Sequence, residues 1–403
     1  MKAVVYHGVG DIRVDDVAEP TVQEPNDAIV RITASAICGT DLHFVRGTMS
    51  GMRPGTILGH EGVGIVEEVG PNVRNLRVGD RVVIASTIGC GFCAYCRAGY
   101  YAQCDTTEPK TGTAFFGGPE AAGAYDGMQA EFVRVPYANV GCVKLPDSVT
   151  DDQAIMISDI FPTAWFGAKL ADVDDGDTVA VFGAGPVGVF AVISAFLRGA
   201  GRVISVDRHD DRLDMAREQG AEVVNFDQED PIDAVRELTG GIGPDRVIDA
   251  VGVDAEHVHA GPGADRTETP DEEFAQEVAQ TAPEHKEDGP FSLGDGAAPS
   301  MALRWAVRSV AKAGTIGIIG VYPPTVQAFP IGEAMNKNLA ILAGNCNHRR
   351  YIPELLQLVS GGAVEPDQVL TKRGEMVSAI EAYEAFDKRA SGWTKVELAP
   401  VPA

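Results

Sequence analysis

Residues 178–188 read Thr-Val-Ala-Val-Phe-Gly-Ala-Gly-Pro-Val-Gly, a strand-forming run that ends at a glycine-rich turn. A helical stretch follows directly, which is the context that a dinucleotide-binding fingerprint requires. The first glycine permits the tight turn, the second lets a pyrophosphate approach the backbone, and the third allows close packing of helix on strand. A turn used only for packing is the alternative. The predicted coenzyme-binding residues here are Gly183, Gly185, Pro186, Val187 and Gly188.

The next predicted strand, 202–207, indicates which coenzyme the turn would bind. It ends at Asp207, where a carboxylate can accept hydrogen bonds from the adenosine ribose. Arg208 follows, and an arginine there could bind the 2′-phosphate that NADP carries and NAD lacks. Because Asp207 would repel that phosphate, the sequence predicts NAD, with NADP as the open alternative.

The pattern around the turn predicts an α/β coenzyme domain over residues 161–322. Apolar strands alternate there with helical stretches, which is typical of a doubly wound (Rossmann) parallel sheet. Residues 254–299 break the alternation and are predicted to be an inserted loop with a short helix near 271–278. Short β-branched runs favour a barrel-like β domain over 1–160, to which the chain is predicted to return over 323–403.

The composition limits the possible partners. The chain has 403 residues and a formal net charge of −25, a field that repels nucleic acid and anionic membrane surfaces. The residues after Met1 lack the apolar core of a signal peptide, and no run reaches the about 18 apolar residues of a membrane span. The sequence therefore predicts a cytoplasmic protein that binds neither nucleic acid nor membrane.

The spacing Cys90-x2-Cys93-x2-Cys96-x7-Cys104 is the most specific metal signal in the chain. Four thiolates this close together can surround one zinc ion tetrahedrally. Because four protein ligands leave no open position, we expect a structural zinc in a lobe at 88–106. An iron–sulfur cluster, which also uses four cysteines, is the alternative.

Further candidate ligands are scattered along the chain, in Cys38-Gly39-Thr40-Asp41-Leu42-His43, Gly59-His60-Glu61-Gly62 and Ser158-Asp159. Each is weak alone, because a buried cysteine is usually a small apolar residue and His60 could be a core histidine. Asp159 could instead be the N-cap of the helix that contains Pro162. Cys142 lies in a predicted strand and is interpreted as a buried packing residue.

Together, these motifs resemble those of the zinc-dependent medium-chain alcohol dehydrogenase superfamily. The resemblance covers nearly the whole chain except 254–299, and its motifs are Cys-Gly-Thr-Asp-x-His at 38–43, Gly-His-Glu at 59–61, Val-Gly-Asp-Arg-Val at 78–82, the four-cysteine lobe and Gly-Ala-Gly-Pro-Val-Gly at 183–188. Leu-Pro-Asp at 145–147 and Ser-Asp-Ile-Phe-Pro-Thr at 158–163 are similar to glutathione-independent formaldehyde dehydrogenases. The resemblance implies a GroES-like, β-barrel-type catalytic domain beside the Rossmann domain.

The resemblance also implies a catalytic zinc bound by Cys38, His60 and Asp159, with Glu61 as an adjacent or exchanging ligand. Asp41 would orient one of these ligands. Most members of the superfamily carry a cysteine where this chain has Asp159, and a harder carboxylate ligand should leave the metal more electrophilic.

For the reaction, the resemblance implies that Thr40 takes the proton of an alcohol and that His43 passes it to solvent. Lys395 matches a basic residue near the coenzyme pyrophosphate, and a surface lysine is the alternative. Candidate pocket residues, each of which could equally be core packing, are Phe44, Phe92, Phe115, Trp165 and His348.

The implied activity is NAD-dependent oxidation of a small alcohol or a hydrated aldehyde such as formaldehyde, with two zinc ions per chain. One alternative is an aldehyde dismutase with tightly held NAD under the 254–299 loop. Another is a non-catalytic zinc- and nucleotide-binding sensor, which the proton relay of Thr40 and His43 argues against. A homo-oligomer, either a dimer or a homotetramer, is also implied.

Overall fold

A computed structural model describes residues 1–107, 112–258, 271–286, 290, 291, 293 and 296–400 of the chain. The chain divides into two compact units. The first comprises Met1–Pro162, Glu284–Ser292 and Asn345–Ala403, and the second comprises Thr163–Pro283 and Leu293–Gly344.

The strands and helices of the described residues follow in chain order. The strands are β1 (Lys2–Gly8), β2 (Asp11–Asp16), β3 (Ala28–Ile37), β4 (Gly62–Val69), β5 (Arg81–Ile84), β6 (Phe132–Val135), β7 (Cys142–Lys144), β8 (Thr178–Phe182), β9 (Arg202–Asp207), β10 (Glu222–Asn225), β11 (Arg246–Asp249), β12 (Thr315–Ile318), β13 (Ala340–Ala343), β14 (Lys372–Glu375) and β15 (Val396–Ala399). The α-helices are α1 (Gly39–Arg46), α2 (Ala94–Arg97), α3 (Ala138–Gly141), α4 (Asp151–Ser158), α5 (Ile160–Leu170), α6 (Pro186–Leu197), α7 (Asp210–Glu218), α8 (Pro231–Leu238), α9 (Asp271–Thr281), α10 (Met301–Ser309), α11 (Ile331–Asn336), α12 (His348–Ser360) and α13 (Ala379–Asp387). None of these helices has the length and apolar character needed to cross a membrane.

The first unit is a mainly antiparallel β structure, as predicted. Its seven-stranded sheet has the order β14-β15-β3-β4-β5-β7, with β6 also paired to β3, and β1 and β2 form a separate hairpin. The ten-residue β3 pairs with β6 in its first half and with β15 in its last residues. Cys142 is buried in β7 among apolar side chains, which agrees with its interpretation as a packing residue.

The second unit is the predicted doubly wound parallel sheet. Its six strands have the order β10-β9-β8-β11-β12-β13, and all neighbouring pairs are parallel. The order reverses between β8 and β11, and nucleotides bind at this kind of switch point, outside the carboxyl ends of the strands. The fingerprint turn follows β8 directly, so it lies at this edge.

The predicted return to the first unit at residue 323 is wrong. Strand β13 pairs with β12 and completes the parallel sheet, and the chain rejoins the first unit only at Asn345. The β13 strand has only four residues, Ala-Ile-Leu-Ala, and is mostly exposed at the sheet edge; an apolar run this short does not by its pattern alone indicate a strand of this sheet.

The predicted insertion contains the short helix that the sequence predicted, α9, and its described parts divide between the two units. Helix α9 packs Phe274 into the apolar core of the second unit, and residues 284–292 belong to the first unit. There Lys286 Nζ donates a hydrogen bond of 3.1 Å to the Val9 carbonyl. Residues 259–270 of the predicted insertion lie outside the described residues.

Candidate active site and metal centres

Cys38, His60 and Asp159 are brought together by the pairing of β3 with β4. Cys38 follows β3 as the N-cap of α1, and His60 lies two residues before β4. Because the two strands are antiparallel, the end of β3 meets the beginning of β4. Asp159 follows α4, and Ser158 Oγ accepts a hydrogen bond of 3.0 Å from the Gly62 N–H, which holds Asp159 at the same place.

The ligand atoms of these residues have the spacing of a zinc site. Asp159 Oδ2 lies 3.6 Å from Cys38 Sγ and 3.3 Å from His60 Nε2. Bonds of about 2.3 Å to sulfur and about 2.0 Å to nitrogen or oxygen at tetrahedral angles separate such atoms by about 3.3 to 3.6 Å. Glu61 contributes a fourth buried group, and all four ligand atoms lie within 4.8 Å of one another. The residues therefore fit a zinc ion, and three ligands leave one position for substrate.

The surroundings shift the pKa values of two of these groups in opposite directions. Burial alone would raise the pKa of Asp159, but hydrogen bonds from His348 and His60 hold it well below its usual range. Burial raises the pKa of the Cys38 thiol, although the nearby His60 opposes the shift. Since zinc binds thiolate, metal binding would release the proton of Cys38 while Asp159 is already ionised.

A buried chain of polar side chains lies beside His60. His60 Nδ1 lies 3.1 Å from Asp41 Oδ1. Asp41 Oδ2 accepts hydrogen bonds from the Cys38 N–H at 3.0 Å and from Gln129 Nε2 at 3.3 Å, and the Tyr383 hydroxyl donates to Gln129 Oε1 at 2.8 Å. A proton on Nδ1 facing Asp41 would leave the Nε2 lone pair for a metal, and the orienting role of Asp41 stays a prediction.

Asp159 has a partner that sequence reasoning missed. Its Oδ1 lies 2.6 Å from His348 Nε2, and His348 Nδ1 lies 3.0 Å from Thr87 Oγ1, all in buried side chains. An ionised carboxylate only accepts hydrogen bonds, so His348 Nε2 is the donor. The bond occupies Oδ1 and leaves Oδ2 facing Cys38 and His60. His348, predicted as a pocket residue, is therefore placed against a ligand.

Lys395 lies beside the candidate metal ligands. Its Nζ donates to Glu61 Oε1 at 2.7 Å and Oε2 at 2.5 Å, and to the Ile37 carbonyl at 3.1 Å. Both charged side chains are fully buried, which contradicts the surface-lysine alternative. A coenzyme phosphate would have to displace Glu61 from Lys395, so the geometry argues against the predicted pyrophosphate role. Burial raises the pKa of Glu61 to about 7, although Lys395 opposes the shift.

The predicted proton-relay residues lie on α1. Thr40 and His43 are three positions apart, a spacing that places both on one face of the helix. Thr40 Oγ1 lies 3.9 Å from Cys38 Sγ, and His43 is buried. Both residues lie on the helix that Cys38 caps, and the proton relay remains a prediction.

The four cysteines of the lobe converge as the spacing predicted. Cys90 and Cys96 sulfurs lie 4.0 Å apart, as do those of Cys93 and Cys104, close to the about 3.8 Å that tetrahedral Zn–S bonds give. Burial alone would raise the pKa of Cys104, but hydrogen bonds from Thr107 and the Cys90 N–H lower it to about 6. The group fits a closed zinc site.

The fingerprint turn has the shape that a pyrophosphate needs. Gly183 has φ +91°, and a Cβ on Gly188 would lie 1.9 Å from the Gly183 carbonyl oxygen, so both positions require glycine. A Cβ on Gly185 would meet only Arg212 Nη1, at 3.9 Å. Helix α6 starts at Pro186, so its N-terminal N–H groups border the open space over Gly185. The turn fits a dinucleotide.

Asp207 completes this site. Its Oδ2 accepts a hydrogen bond of 2.7 Å from the Ala184 N–H, and Oδ1 accepts from the N–H groups of Arg208 and His209 at 2.7 and 3.0 Å. Burial would raise the pKa of Asp207, but Arg212 and these N–H groups lower it. An anionic carboxylate therefore ties the end of β9 to the fingerprint turn.

The candidate pocket residues separate into different environments. Phe115 packs edge-on against His60, with ring centroids 6.4 Å apart, and stacks on Phe44 at 6.0 Å. Phe44 is fully buried in an apolar core, whereas Phe92 is 60% exposed. Trp165 is buried in the second unit. Only Phe115 among these four aromatic residues adjoins a candidate metal ligand in the described contacts.

Two family descriptions match the chain. Residues 24–147 match the alcohol dehydrogenase GroES-like domain, and residues 186–258 match the zinc-binding dehydrogenase domain. An uncharacterized zinc-type alcohol dehydrogenase-like protein, AdhB of Bacillus subtilis, is 37% identical over 99% of this chain and 100% of its own length.

Solved structures give the same result. The alcohol dehydrogenase TADH of Thermus sp. ATN1 has a TM-score of 0.81 and 32% identity, with all of both chains covered. A protein of Sinorhizobium meliloti 1021 described as a zinc-binding dehydrogenase was solved with NADP; its TM-score is 0.75 at 26% identity, with 99% of both chains covered.

Proposed function

The chain belongs to the zinc-dependent medium-chain alcohol dehydrogenase family, and from this membership we propose that it oxidises a small alcohol or a hydrated aldehyde such as formaldehyde, with NAD as hydride acceptor. The observation that carries the proposal is the buried convergence of Cys38, His60 and Asp159 at zinc-ligand spacing. A second zinc would be bound by the four cysteines of the lobe.

A zinc ion at the first site would act as a Lewis acid that lowers the pKa of an alcohol. The residues of the chain supply the other requirements. His348 holds Asp159 in one orientation, and we propose that Asp41, 3.1 Å from His60 Nδ1, does the same for His60 when zinc is bound, so that little rearrangement accompanies the reaction. We propose that the Thr40 hydroxyl accepts the substrate proton and that His43 passes it onward.

The coenzyme proposal rests on the fingerprint turn and on Asp207. The N-terminus of α6 would bind the pyrophosphate, and the anionic Asp207 would accept hydrogen bonds from the ribose hydroxyls. The same carboxylate would repel a 2′-phosphate, which favours NAD over NADP. A homo-oligomer, dimer or tetramer, is part of the proposal and can be measured by light scattering after size-exclusion chromatography.

The test compares Asp159→Asn with the unchanged chain, in the presence of short alcohols, formaldehyde and either coenzyme. We expect NAD-dependent turnover of at least one substrate class, and in Asp159→Asn a loss of one of two zinc ions. Activity should fall about 100-fold or more, because even changes behind a metal ligand lower it about 10- to 100-fold. Asp15→Asn, in the more exposed His7–Asp15 pair, is the matched control.

Three results would contradict the proposal, and the last two would indicate a different function. One is an active Asp159→Asn enzyme that keeps both zinc ions. Another is coenzyme that survives gel filtration together with turnover of formaldehyde without added NAD, which would indicate a dismutase. Zinc and nucleotide binding without turnover of any substrate would indicate a sensor.

A further inference from the structure

The guanidinium of Arg208, the residue next to Asp207, is held by two carboxylates. Arg208 Nη1 donates to Glu256 Oε2 at 2.6 Å, Nε donates to Asp227 Oδ2 at 3.0 Å, and Nη2 lies 2.9 Å from the same Asp227 oxygen. The guanidinium carbon also lies 5.7 Å from the centre of the Phe226 ring. All three nitrogens of the guanidinium therefore have a carboxylate partner.

Three strands of the parallel sheet place these groups at its carboxyl edge; β9 and β10 are neighbours, and β8 lies between β9 and β11. Arg208 follows β9, Asp227 follows β10 by two residues, and Glu256 lies after β11 in a short bridge to Ala297. Asn225 Nδ2 donates to the Arg208 carbonyl at 3.1 Å and so fixes the backbone of the arginine. The carboxyl edge of the sheet is where the adenosine half of a dinucleotide binds in this fold.

The charges around Arg208 oppose a second phosphate. Asp227 and Glu256 place two carboxylates against the guanidinium, and a third, Asp207, accepts a hydrogen bond from the Arg208 backbone N–H, while a phosphate monoester carries a charge of about −1.5 to −2 at neutral pH. To bind Arg208, such a phosphate would have to replace both of its partners and would then face their like charges. The side chains of Arg208, Asp227 and Glu256 are partly exposed, at 16 to 29%, so solvent screening makes the repulsion moderate.

We propose that Asp227 and Glu256 determine coenzyme selectivity by sequestering Arg208, which is otherwise placed to bind the 2′-phosphate of NADP. This inference rests on the proposed use of a nicotinamide dinucleotide. It adds that the preference for NAD depends on residues beyond Asp207. It also gives a role to Glu256, which lies in the segment predicted as an insertion.

The test measures binding of two nucleotide probes by isothermal titration calorimetry with the whole chain. The probes are 5′-AMP and 2′,5′-ADP, which differ only in the 2′-phosphate and require neither substrate nor zinc chemistry. In the double variant Asp227→Asn/Glu256→Gln, we expect affinity for 2′,5′-ADP relative to 5′-AMP to rise about tenfold or more, because two like charges are removed and Arg208 is released.

The control is Glu222→Gln. Glu222 pairs with Arg202, and these residues begin β10 and β9 at the amino edge of the sheet. The variant therefore breaks an arginine–carboxylate pair on the same strands, at the end away from the nucleotide edge. The ratio of the two affinities should not change in this control.

A third variant separates the release of Arg208 from the loss of negative charge. Adding Arg208→Gln to the double variant should abolish the rise in affinity for 2′,5′-ADP relative to 5′-AMP. Arg208→Gln alone should barely change this ratio of affinities. A gain that survives Arg208→Gln would overturn the proposal, as would an unchanged ratio in the double variant. Strong binding of 2′,5′-ADP by the unchanged chain that is lost in Arg212→Gln would also overturn it.

The same titrations distinguish this inference from the proposed function. If neither probe binds the unchanged chain, the nucleotide site itself is wrong. If 5′-AMP binds and the double variant leaves the ratio unchanged, the nucleotide site stands and the sequestration of Arg208 is wrong. Steady-state kcat/KM for NADP and NAD should shift in the same direction as the binding ratio.

Discussion

Replacing His348 with alanine should release zinc from the site formed by Cys38, His60 and Asp159. The substitution removes a buried hydrogen bond of 2.6 Å to Asp159 Oδ1. Hydrogen bonds to charged groups contribute about 1.5 to 3 kcal/mol, and about 1.4 kcal/mol corresponds to a tenfold change in affinity. We therefore expect zinc affinity to fall about 10- to 100-fold, the range typical of residues behind metal ligands.

The assay is metal analysis after dialysis against chelators of graded strength, together with the absorption spectrum of the cobalt-substituted protein. One of two metal ions should be lost at a weaker chelator, while the ion of the four cysteines stays bound. His348→Gln should restore much of the affinity, because its amide can also donate to Asp159. Thr87→Val, which removes the partner of His348 Nδ1, should have a smaller effect in the same direction.

The matched control is His7→Ala, because His7 pairs with Asp15 at 2.7 Å in a more exposed position of the same unit. This variant should keep both metal ions. The reasoning fails if His348→Ala retains both ions at every chelator strength that the unchanged chain tolerates. It also fails if the variant loses metal only when it unfolds, which circular dichroism measured in parallel would show.

Cys93→Ser should lower the melting temperature by about 5 °C or more and remove one zinc ion, with little change in kcat of the folded fraction, because a closed site stabilises its loop. Lys395→Met should lower the free energy of unfolding by about 3 to 5 kcal/mol in denaturant titrations by leaving Glu61 buried without a cation, and adding Glu61→Gln should recover part of it. Burial raises the pKa of Glu397 from 4.5 to about 7, so its contribution to stability is complete below pH 4.5 and is lost as the pH rises through 7. Glu397→Gln should therefore raise the free energy of unfolding by about 3 kcal/mol at pH 8 and by less than about 1 kcal/mol at pH 5; equal effects at both would contradict this.

The parts of the sites that could be predicted are those encoded in short stretches of chain. Cys90 to Cys104 contain a complete ligand set, and residues 183–188 contain the whole fingerprint turn. In the cysteine lobe and in the fingerprint turn, the spacing in the chain is enough to predict which groups lie together, because a single loop or a single strand-to-helix turn contains all of them. Asp159 needed the family resemblance, since nothing near it in the chain marks it as a ligand.

The parts that could not be predicted depend on contacts between distant residues. His348 and Asp159 are 189 positions apart, and Lys395 and Glu61 are 334 positions apart. Neither pair has a local pattern, because each forms only when separate elements pack together. Strand β13 was missed for a different reason: its four residues, Ala-Ile-Leu-Ala, are apolar, but a run this short has no periodicity that distinguishes a strand from a helix segment.

The pairing of β15 with β3 decides when, during synthesis, the buried Glu61 beside the first metal site can gain Lys395 as its cation. Lys395, which directly precedes β15, bonds to the Ile37 carbonyl at the end of β3, and 358 positions separate the two residues. At about 5 to 20 residues per second, the ribosome adds the second partner roughly 20 to 70 s after the first. Until then, the edge of β3 beside Cys38 is an unpaired strand edge, the kind of surface that pairs wrongly with other chains. The 358 positions between the two partners, which include most of the first unit as well as the second, therefore set how long this edge stays unpaired.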